Sequence, residues 1–180
     1  SIFKGQHIID ISTRSKISDR YRRIARSVNH TFWNTDSDVA HSFYVGSYGR
    51  GTAIDTSDLD ILVELPDSEY IHFANASGNG PSRLLQAVKD AILNTYPTTN
   101  IRGDGQVVVV RFSDNMKCED LPAFSIRNLW GITTYRYPDT HMGGNWMTTN
   151  PKAEQAAMKA INEFSSSNGL LFDTCKHIRF

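Results

Sequence analysis

The apolar residues of the chain follow a helical spacing in some stretches and a strand-like pattern in others. The first stretch has apolar residues three or four positions apart: Ile17, Tyr21, Ile24, Val28 and Phe32. This spacing places them on one face and predicts an amphipathic helix, whose arginines lie on the solvated face. A second helix is predicted around residues 84–92, ending before Pro97. A third is predicted from Pro151 to about Phe164, because Asn150 is a favourable N-cap and proline suits the first helical position.

Four short runs outside these helices are typical of β-strands. They cover residues 41–45, 59–65, 106–112 and 116–121. Asp114-Asn115 is a hairpin-turn signal between the last two runs. A glycine-rich turn is expected at 46–52, and loops are expected at 74–82 and 137–150. The order of these elements predicts an α+β fold, with a mixed, mostly antiparallel sheet flanked by helices.

The composition narrows the class of protein. The 180 residues are 39% hydrophobic and 21% charged, which suits a compact domain with a core rather than a disordered chain. Nineteen basic side chains balance nineteen acidic ones, so the charge gives no strong signal for nucleic acid or for a membrane surface. Cys118 and Cys175 form no CxxC pair, and neither a membrane-spanning run nor a signal peptide is recognised. We therefore expect a cytoplasmic protein.

The segment 46–63 carries the clearest chemical signal. Gly46, Gly49 and Gly51 allow a sharp turn, and backbone amides at such a turn can hold phosphate oxygens. The segment is not a Walker A loop, because no Gly-Lys-Ser/Thr follows, and its glycine spacing does not fit a dinucleotide-binding fingerprint. Taken alone, the glycines are equally compatible with an ordinary turn.

Two aspartates follow at the start of the second predicted strand. Asp58 and Asp60 are two positions apart and point to the same side, whereas Leu59 and Ile61 point to the core. Adjacent carboxylates repel unless a cation lies between them, and oxygen ligands favour Mg²⁺ or Mn²⁺ shared with substrate phosphates. Such a pair on a surface strand is often merely solvated, but beside a phosphate-binding turn it favours a metal-dependent nucleotide site. The histidines have no paired spacing, and zinc is not expected.

These motifs together resemble a known family. The elements that carry the resemblance are Gly-Ser at 46–47, Gly-Thr at 51–52 and Ser-Asp-Leu-Asp at 57–60. They are similar to the signature of the DNA polymerase β-like nucleotidyltransferase superfamily. With the stretches 117–124 and 137–154, the chain most resembles the bacterial CD-NTases (the cGAS/DncV-like nucleotidyltransferases, or SMODS). The resemblance covers roughly residues 17–180.

The resemblance implies catalytic and metal-binding residues. Asp58, Asp60 and Glu119 are the implied ligands of two Mg²⁺ or Mn²⁺ ions. Glu119 stands three residues before Pro122, at a position where many relatives have Asp. Asp120 is the neighbouring alternative, but on a strand it should face away from Glu119.

The resemblance also implies a nucleotide-binding set. Its members are Gly46, Ser47, Arg50, Asp58, Asp60, Lys176 and Arg179. Ser47 is expected to contact the β- and γ-phosphates, and Arg50 either adds charge there or pairs with Asp55. Lys176 and Arg179 are alternative triphosphate contacts from the last helical segment, and the sequence does not decide between them.

The activity implied is that of a nucleotidyltransferase that joins NTPs into cyclic or linear oligonucleotide second messengers in anti-phage (CBASS) defence. Residues 1–150 are expected to form the nucleotidyltransferase core and 151–180 the beginning of a C-terminal helical lobe, so we expect a partial chain. The alternatives are a nucleotidyltransferase that modifies protein or RNA, such as an AMPylating antitoxin, and a non-catalytic nucleotide-binding relative. The sequence does not specify the NTPs, the product or a regulatory protein partner.

Overall fold

The computed structural model describes residues 9–54, 57–163 and 170–178. The helices are α1 (Ile11–Val28), α2 (Gly46–Arg50), α3 (Asp67–Ala74), α4 (Gly80–Leu93), α5 (Pro151–Glu163) and α6 (Leu170–Ile178). The strands are β1 (Ser42–Tyr44), β2 (Leu59–Glu64), β3 (Asn100–Asp104), β4 (Val107–Arg111), β5 (Lys117–Arg127), β6 (Thr133–Asp139) and β7 (Asn145–Thr149). A π-helical turn, Asn29–Trp33, continues α1. No helix in the described ranges has the length and hydropathy that a membrane span requires.

Seven strands form a mixed sheet in which β5 is the central element. The order is β1-β2-β5-β4-β3, and β6 and β7 extend the sheet from the far end of β5. β2 and β5 run parallel, whereas the other paired strands run antiparallel. The predicted α+β fold, with a mixed, mostly antiparallel sheet and flanking helices, is therefore confirmed.

The main core lies between one face of the sheet and the helices α1 and α4. Most of the stripe predicted on α1 is buried there: Ile17, Tyr21, Ile24 and Val28. Phe32 packs at the margin of this core, and Leu59 and Ile61 of β2 are fully buried in it. The other face carries a smaller apolar cluster around Leu62 and Tyr135. Asp60 of β2 and Glu119 of β5 alternate with residues of the main core and therefore face away from it.

Local signals in the sequence correctly predict several element ends. The Asn150 side chain accepts a hydrogen bond from the Ala153 amide at 3.0 Å, as expected for the N-cap of α5. The β4–β5 hairpin turns where it was predicted, with Asn115 at φ +68°. The N-cap at Asn150 and the turn at Asn115 mark the starts of α5 and β5.

The sequence predicts a loop at residues 137–150, but the structure has a β-hairpin there. Its turn contains Met142, Gly143 and Gly144, all with φ between +52° and +98°. The glycine pair is therefore the tip of the β6–β7 hairpin rather than part of a long loop. The strand pattern is weak because β7 is largely exposed and lacks alternating buried residues.

Three further elements are not predicted by the sequence. α3 and β3 each bury one residue, Phe73 and Ile101 respectively, so neither has a recognisable apolar pattern. The expected turn at 46–52 contains the short helix α2, in which the Gly49 amide donates to the Val45 carbonyl at 2.9 Å. The glycine content predicts only a turn. The packing of this segment against β2 gives the turn a helical conformation.

Candidate active site

The glycine-rich segment packs directly against the strand that carries the aspartates. Gly46 begins α2 with φ +54°, a conformation that favours glycine. The Val45 amide donates to the Asp60 carbonyl at 2.9 Å and joins the start of α2 to β2. A Cβ on Gly46 would overlap the Asp60 carboxylate. Glycine at this position therefore permits the close approach of α2 to that carboxylate.

Two of the three predicted carboxylates lie at directly neighbouring positions of two parallel strands. Asp60 of β2 lies opposite Glu119 of β5 in the strand register, and neighbouring strands are about 4.8 Å apart. Asp58 lies two positions before Asp60, so it shares the same side of the sheet. Leu59 and Ile61 are fully buried on the opposite side, as predicted. The fold thus gathers Asp58, Asp60 and Glu119 on one side of the sheet.

Asp120 lies on the other side of β5, in the main core. Its side chain is fully buried, as is Cys118 two positions earlier. Neither carboxylate oxygen of Asp120 has a hydrogen-bond partner among the described residues. Burial raises the pKa of Asp120 well above its usual value and favours the neutral form. The prediction that Asp120 faces away from Glu119 is confirmed.

The electrostatics of Asp60 reflect its crowded position. Burial first, and then the neighbouring charges of Glu119 and Asp58, raise the pKa of Asp60 to about 6. The Ser47 amide donates a hydrogen bond to Asp60, which partly opposes this rise. A partly desolvated carboxylate surrounded by like charges favours a cation as its neighbour.

Lys117, the first residue of β5, occupies the space between two of these carboxylates. Its Nζ lies 2.5 Å from Asp58 Oδ2 and 2.9 Å from Glu119 Oε1. Hydrogen bonds to Asp58, and then to Glu119, raise the pKa of the ammonium group. The family motifs in the sequence do not indicate a role for this residue. The available signal was the spacing, because a side chain two positions before Glu119 lies on the same side of the strand.

The donor chemistry of the three carboxylates fits a Mg²⁺ or Mn²⁺ site. They offer only oxygen ligands, and they share one side of β2 and β5 next to the buried amide of Ser47. Among the described residues, no three acidic, histidine or cysteine side chains already stand in a ligating arrangement. Lys117 lies between Asp58 and Glu119 instead. Lys117 thus occupies the position of an ion that would bridge Asp58 and Glu119.

The residues implied for phosphate binding have different environments. Ser47 is 4% exposed and lies beside Asp60. Arg50 forms an ion pair with Glu154 of α5 at 2.9 Å, a partner that the sequence analysis did not consider. Its proposed alternative partner, Asp55, lies outside the described residues.

The two candidate basic contacts from the last helix are placed differently. Lys176 of α6 lines a cavity of about 330 Å³ together with Arg14, Tyr44 and Tyr48. Among the described residues that line this cavity, none is one of the three carboxylates. Arg179 lies outside the described residues. Gly46, Ser47, Asp58, Asp60 and Glu119 are thus brought together, whereas Lys176 belongs to a neighbouring cavity.

The close approach of α2 to Asp60 predicts an unequal effect of two glycine substitutions. Gly46 and Gly78 both have positive φ, +54° and +82°, so alanine at either position costs roughly 1–2 kcal/mol. Only the Gly46→Ala side chain meets another group, whereas a Cβ on Gly78 has nothing within 4 Å. We therefore expect Gly46→Ala to lose about 1–3 kcal/mol more stability than Gly78→Ala in chemical unfolding. Equal losses would contradict the contact between α2 and the Asp60 carboxylate.

Comparison with known families identifies the class of domain to which this fold belongs. Residues 5–162 match the family described as the Second Messenger Oligonucleotide or Dinucleotide Synthetase (SMODS) domain. The chain belongs to this family, which confirms the resemblance found in the sequence.

Particular relatives are similar over most of the chain. A curated relative, the cyclic AMP-AMP-AMP synthase of Acinetobacter sp. (strain ATCC 27244 / 9458), is 30% identical over 132 residues, which cover 72% of this chain and 35% of the relative. The chain therefore spans about a third of the length of that relative.

Solved structures of CD-NTases share the fold. The Bradyrhizobium diazoefficiens CD-NTase CdnG in complex with GTP matches with a TM-score of 0.63 and 18% identity, covering 84% of this chain and 42% of that one. The Rhodothermus marinus CdnE c-UMP-AMP synthase with Apcpp and Upnpp matches with a TM-score of 0.61 and 13% identity, covering 92% and 63%. At these identities the similarity establishes the common fold.

Proposed function

We propose that this chain is the catalytic part of a metal-dependent nucleotidyltransferase that joins NTPs into cyclic or linear oligonucleotide second messengers. The observation that carries the proposal is the pairing of Asp60 with Glu119 across β2 and β5, directly beside Gly46 and Ser47. Membership of the SMODS family and the similarity to a cyclic AMP-AMP-AMP synthase support it.

Asp58, Asp60 and Glu119 are the proposed ligands of two divalent ions, Mg²⁺ or Mn²⁺. Such ions, when bound, lower the pKa of an attacking sugar hydroxyl and stabilise charge on the transferred phosphoryl group and on pyrophosphate. The side chains themselves form no covalent bond to the substrate. Their contribution is to fix the reacting groups in place, because phosphoryl transfer depends on positioning and charge neutralisation.

The start of α2 is the proposed contact for the triphosphate. The Gly46–Ser47 backbone lies against Asp60, so phosphates bound here are held next to the carboxylates. Ser47 contacts the β- and γ-phosphates in this proposal. Lys176 or Arg179 supplies a further basic contact. Arg50 acts there only if its ion pair with Glu154 opens.

The biological setting follows from the family. We propose that the substrates are ATP, GTP or other NTPs, that the product acts as a messenger in anti-phage (CBASS) defence, and that the enzyme works in the cytoplasm. The division into a core at 1–150 and the start of a helical lobe at 151–180 is part of the same proposal.

The test is an assay of products made by the full-length protein from all four NTPs with Mg²⁺ or Mn²⁺, separated by chromatography and identified by mass. We expect short free oligonucleotides, cyclic or linear. Transfer of labelled nucleotide to protein or RNA would instead support a modifying nucleotidyltransferase. Thermal stabilisation by NTPs without any turnover would support a non-catalytic nucleotide-binding relative.

A further inference from the structure

Lys117 is bound to the carboxylate cluster by two ion pairs. Its Nζ lies 2.5 Å from Asp58 and 2.9 Å from Glu119, and its side chain is only 22% exposed. Charge-assisted hydrogen bonds of this length are stronger than those between neutral groups. The ammonium group therefore has a defined position between the two carboxylates.

The cluster needs a positive charge because its members repel one another. Asp60 and Glu119 are opposite each other in adjacent strands, and Asp58 is two positions away from Asp60. The other nearby cation, Arg50, is paired with Glu154 at 2.9 Å. Among the described residues, Lys117 is the cation whose ion pairs include members of the cluster. It compensates part of the negative charge that β2 and β5 gather at this point.

We propose that Lys117 is a built-in counter-cation, which holds the carboxylates together in the metal-free protein and competes with divalent ions for Asp58 and Glu119. A metal ion that bridges Asp58 and Glu119 would take the place of the Lys117 ammonium group, so one has to leave when the other binds. This inference rests on the proposed function, because it concerns the same three carboxylates.

A bound nucleotide helps a metal ion to overcome this competition. A divalent ion alone must displace an ammonium group that already has two carboxylate partners. A divalent ion that arrives with a triphosphate gains phosphate oxygens as additional ligands, which favours the exchange. The protein therefore takes up metal ions weakly by themselves and more tightly together with NTP. Lys117 is in this sense a positioning residue, since it acts through the carboxylates.

The test is equilibrium dialysis of the full-length protein against Mn²⁺, with and without a non-hydrolysable ATP analogue, in which the excess of Mn²⁺ on the protein side measures binding to the protein. Without nucleotide, we expect Lys117→Met to bind Mn²⁺ about tenfold more tightly than the wild type, because the competing charge is gone. Lys117→Arg keeps the charge and should bind as weakly as the wild type. With the ATP analogue, the wild type and Lys117→Met should both bind Mn²⁺ more tightly than they do without it.

A matched control separates this effect from a general change in charge. Lys159 of α5 is exposed and pairs with Glu163 at 3.9 Å, away from the cluster. Lys159→Met removes the same charge and should leave Mn²⁺ binding unchanged. Lys117→Gln, which retains a hydrogen-bond donor without the charge, replaces Lys117→Met if that variant does not fold, and it should also bind Mn²⁺ more tightly than the wild type.

The outcomes distinguish this inference from the proposed function. One outcome refutes the competition and leaves the metal site standing. In it, the wild type binds Mn²⁺ when the ATP analogue is present, but in the absence of nucleotide the neutral variants of Lys117 bind Mn²⁺ no more tightly than the wild type does. If the wild type binds no Mn²⁺ under either condition, the metal site and the inference are both refuted. Equal tightening in Lys117→Met and Lys159→Met would also refute the specific role of Lys117.

Discussion

Replacement of Asp58 and Asp60 together by asparagine is expected to reduce product formation by at least about a thousandfold. The two carboxylates are the proposed metal ligands on β2, and metal ions contribute several kcal/mol of charge stabilisation to the transition state, where each 1.4 kcal/mol corresponds to about tenfold in rate. The initial rate of oligonucleotide formation from NTPs with Mg²⁺ measures this effect. Turnover at the wild-type rate in the double variant would contradict the metal assignment.

A control variant shows whether the loss comes from the site. Asp67 and Glu69 have the same spacing of two residues and lie in the first turn of α3. Asp67→Asn combined with Glu69→Gln removes the same charge and weakens only the interaction with the helix N-terminus, by about 0.3–1 kcal/mol. We expect this variant to retain nearly full activity. The Asp58/Asp60 variant should remain folded, because it removes repulsion beside Glu119 rather than apolar packing.

The second large effect is expected on β5, where Glu119→Ala and Asp120→Ala should differ sharply. Glu119 faces the aspartates of β2, so its loss should lower the rate of product formation about a hundredfold or more. Asp120 is buried on the opposite side, and its substitution should change the rate no more than a few fold. Initial rates of the two full-length variants under the same conditions provide the comparison.

Thermal unfolding of the same variants separates catalytic effects from structural ones. Asp120→Ala leaves a small cavity but removes a buried carboxyl group that has no hydrogen-bond partner among the described residues. These two effects oppose each other, so we expect little change in Tm. If Asp120→Ala were inactive while folded and Glu119→Ala were active, the register of β5 against β2 would be wrong.

Much of the fold is predictable where the signal is local. The stripe on α1, the cap of α5 and the turn at Asn115 each depend on residues close in sequence, and the structure agrees with all three. The strand β7 has no such signal, because most of its residues are exposed and its place is set by pairing with β6. The sequence therefore does not predict an element whose position depends on pairing with another strand rather than on its own pattern of buried residues.

The candidate site likewise has residues that the sequence predicts and residues that it does not. The spacing of Asp58 and Asp60 alone puts both on one side of a strand, and the resemblance to CD-NTases adds Glu119. Neither indicates that Lys117 lies between Asp58 and Glu119, or that Arg50 pairs with Glu154, 104 residues further along the chain. These ion pairs depend on how separate elements pack.

The amino-acid sequence by itself determined the family of this protein and the side of each strand on which the acidic residues lie. Those properties follow from backbone periodicity and from a short motif. Only the tertiary structure decided that Asp60 stands opposite Glu119 and that a lysine neutralises the cluster. The physical reason is that the register of two strands distant in sequence is set by burial of their apolar faces against α1 and α4, which no single segment encodes.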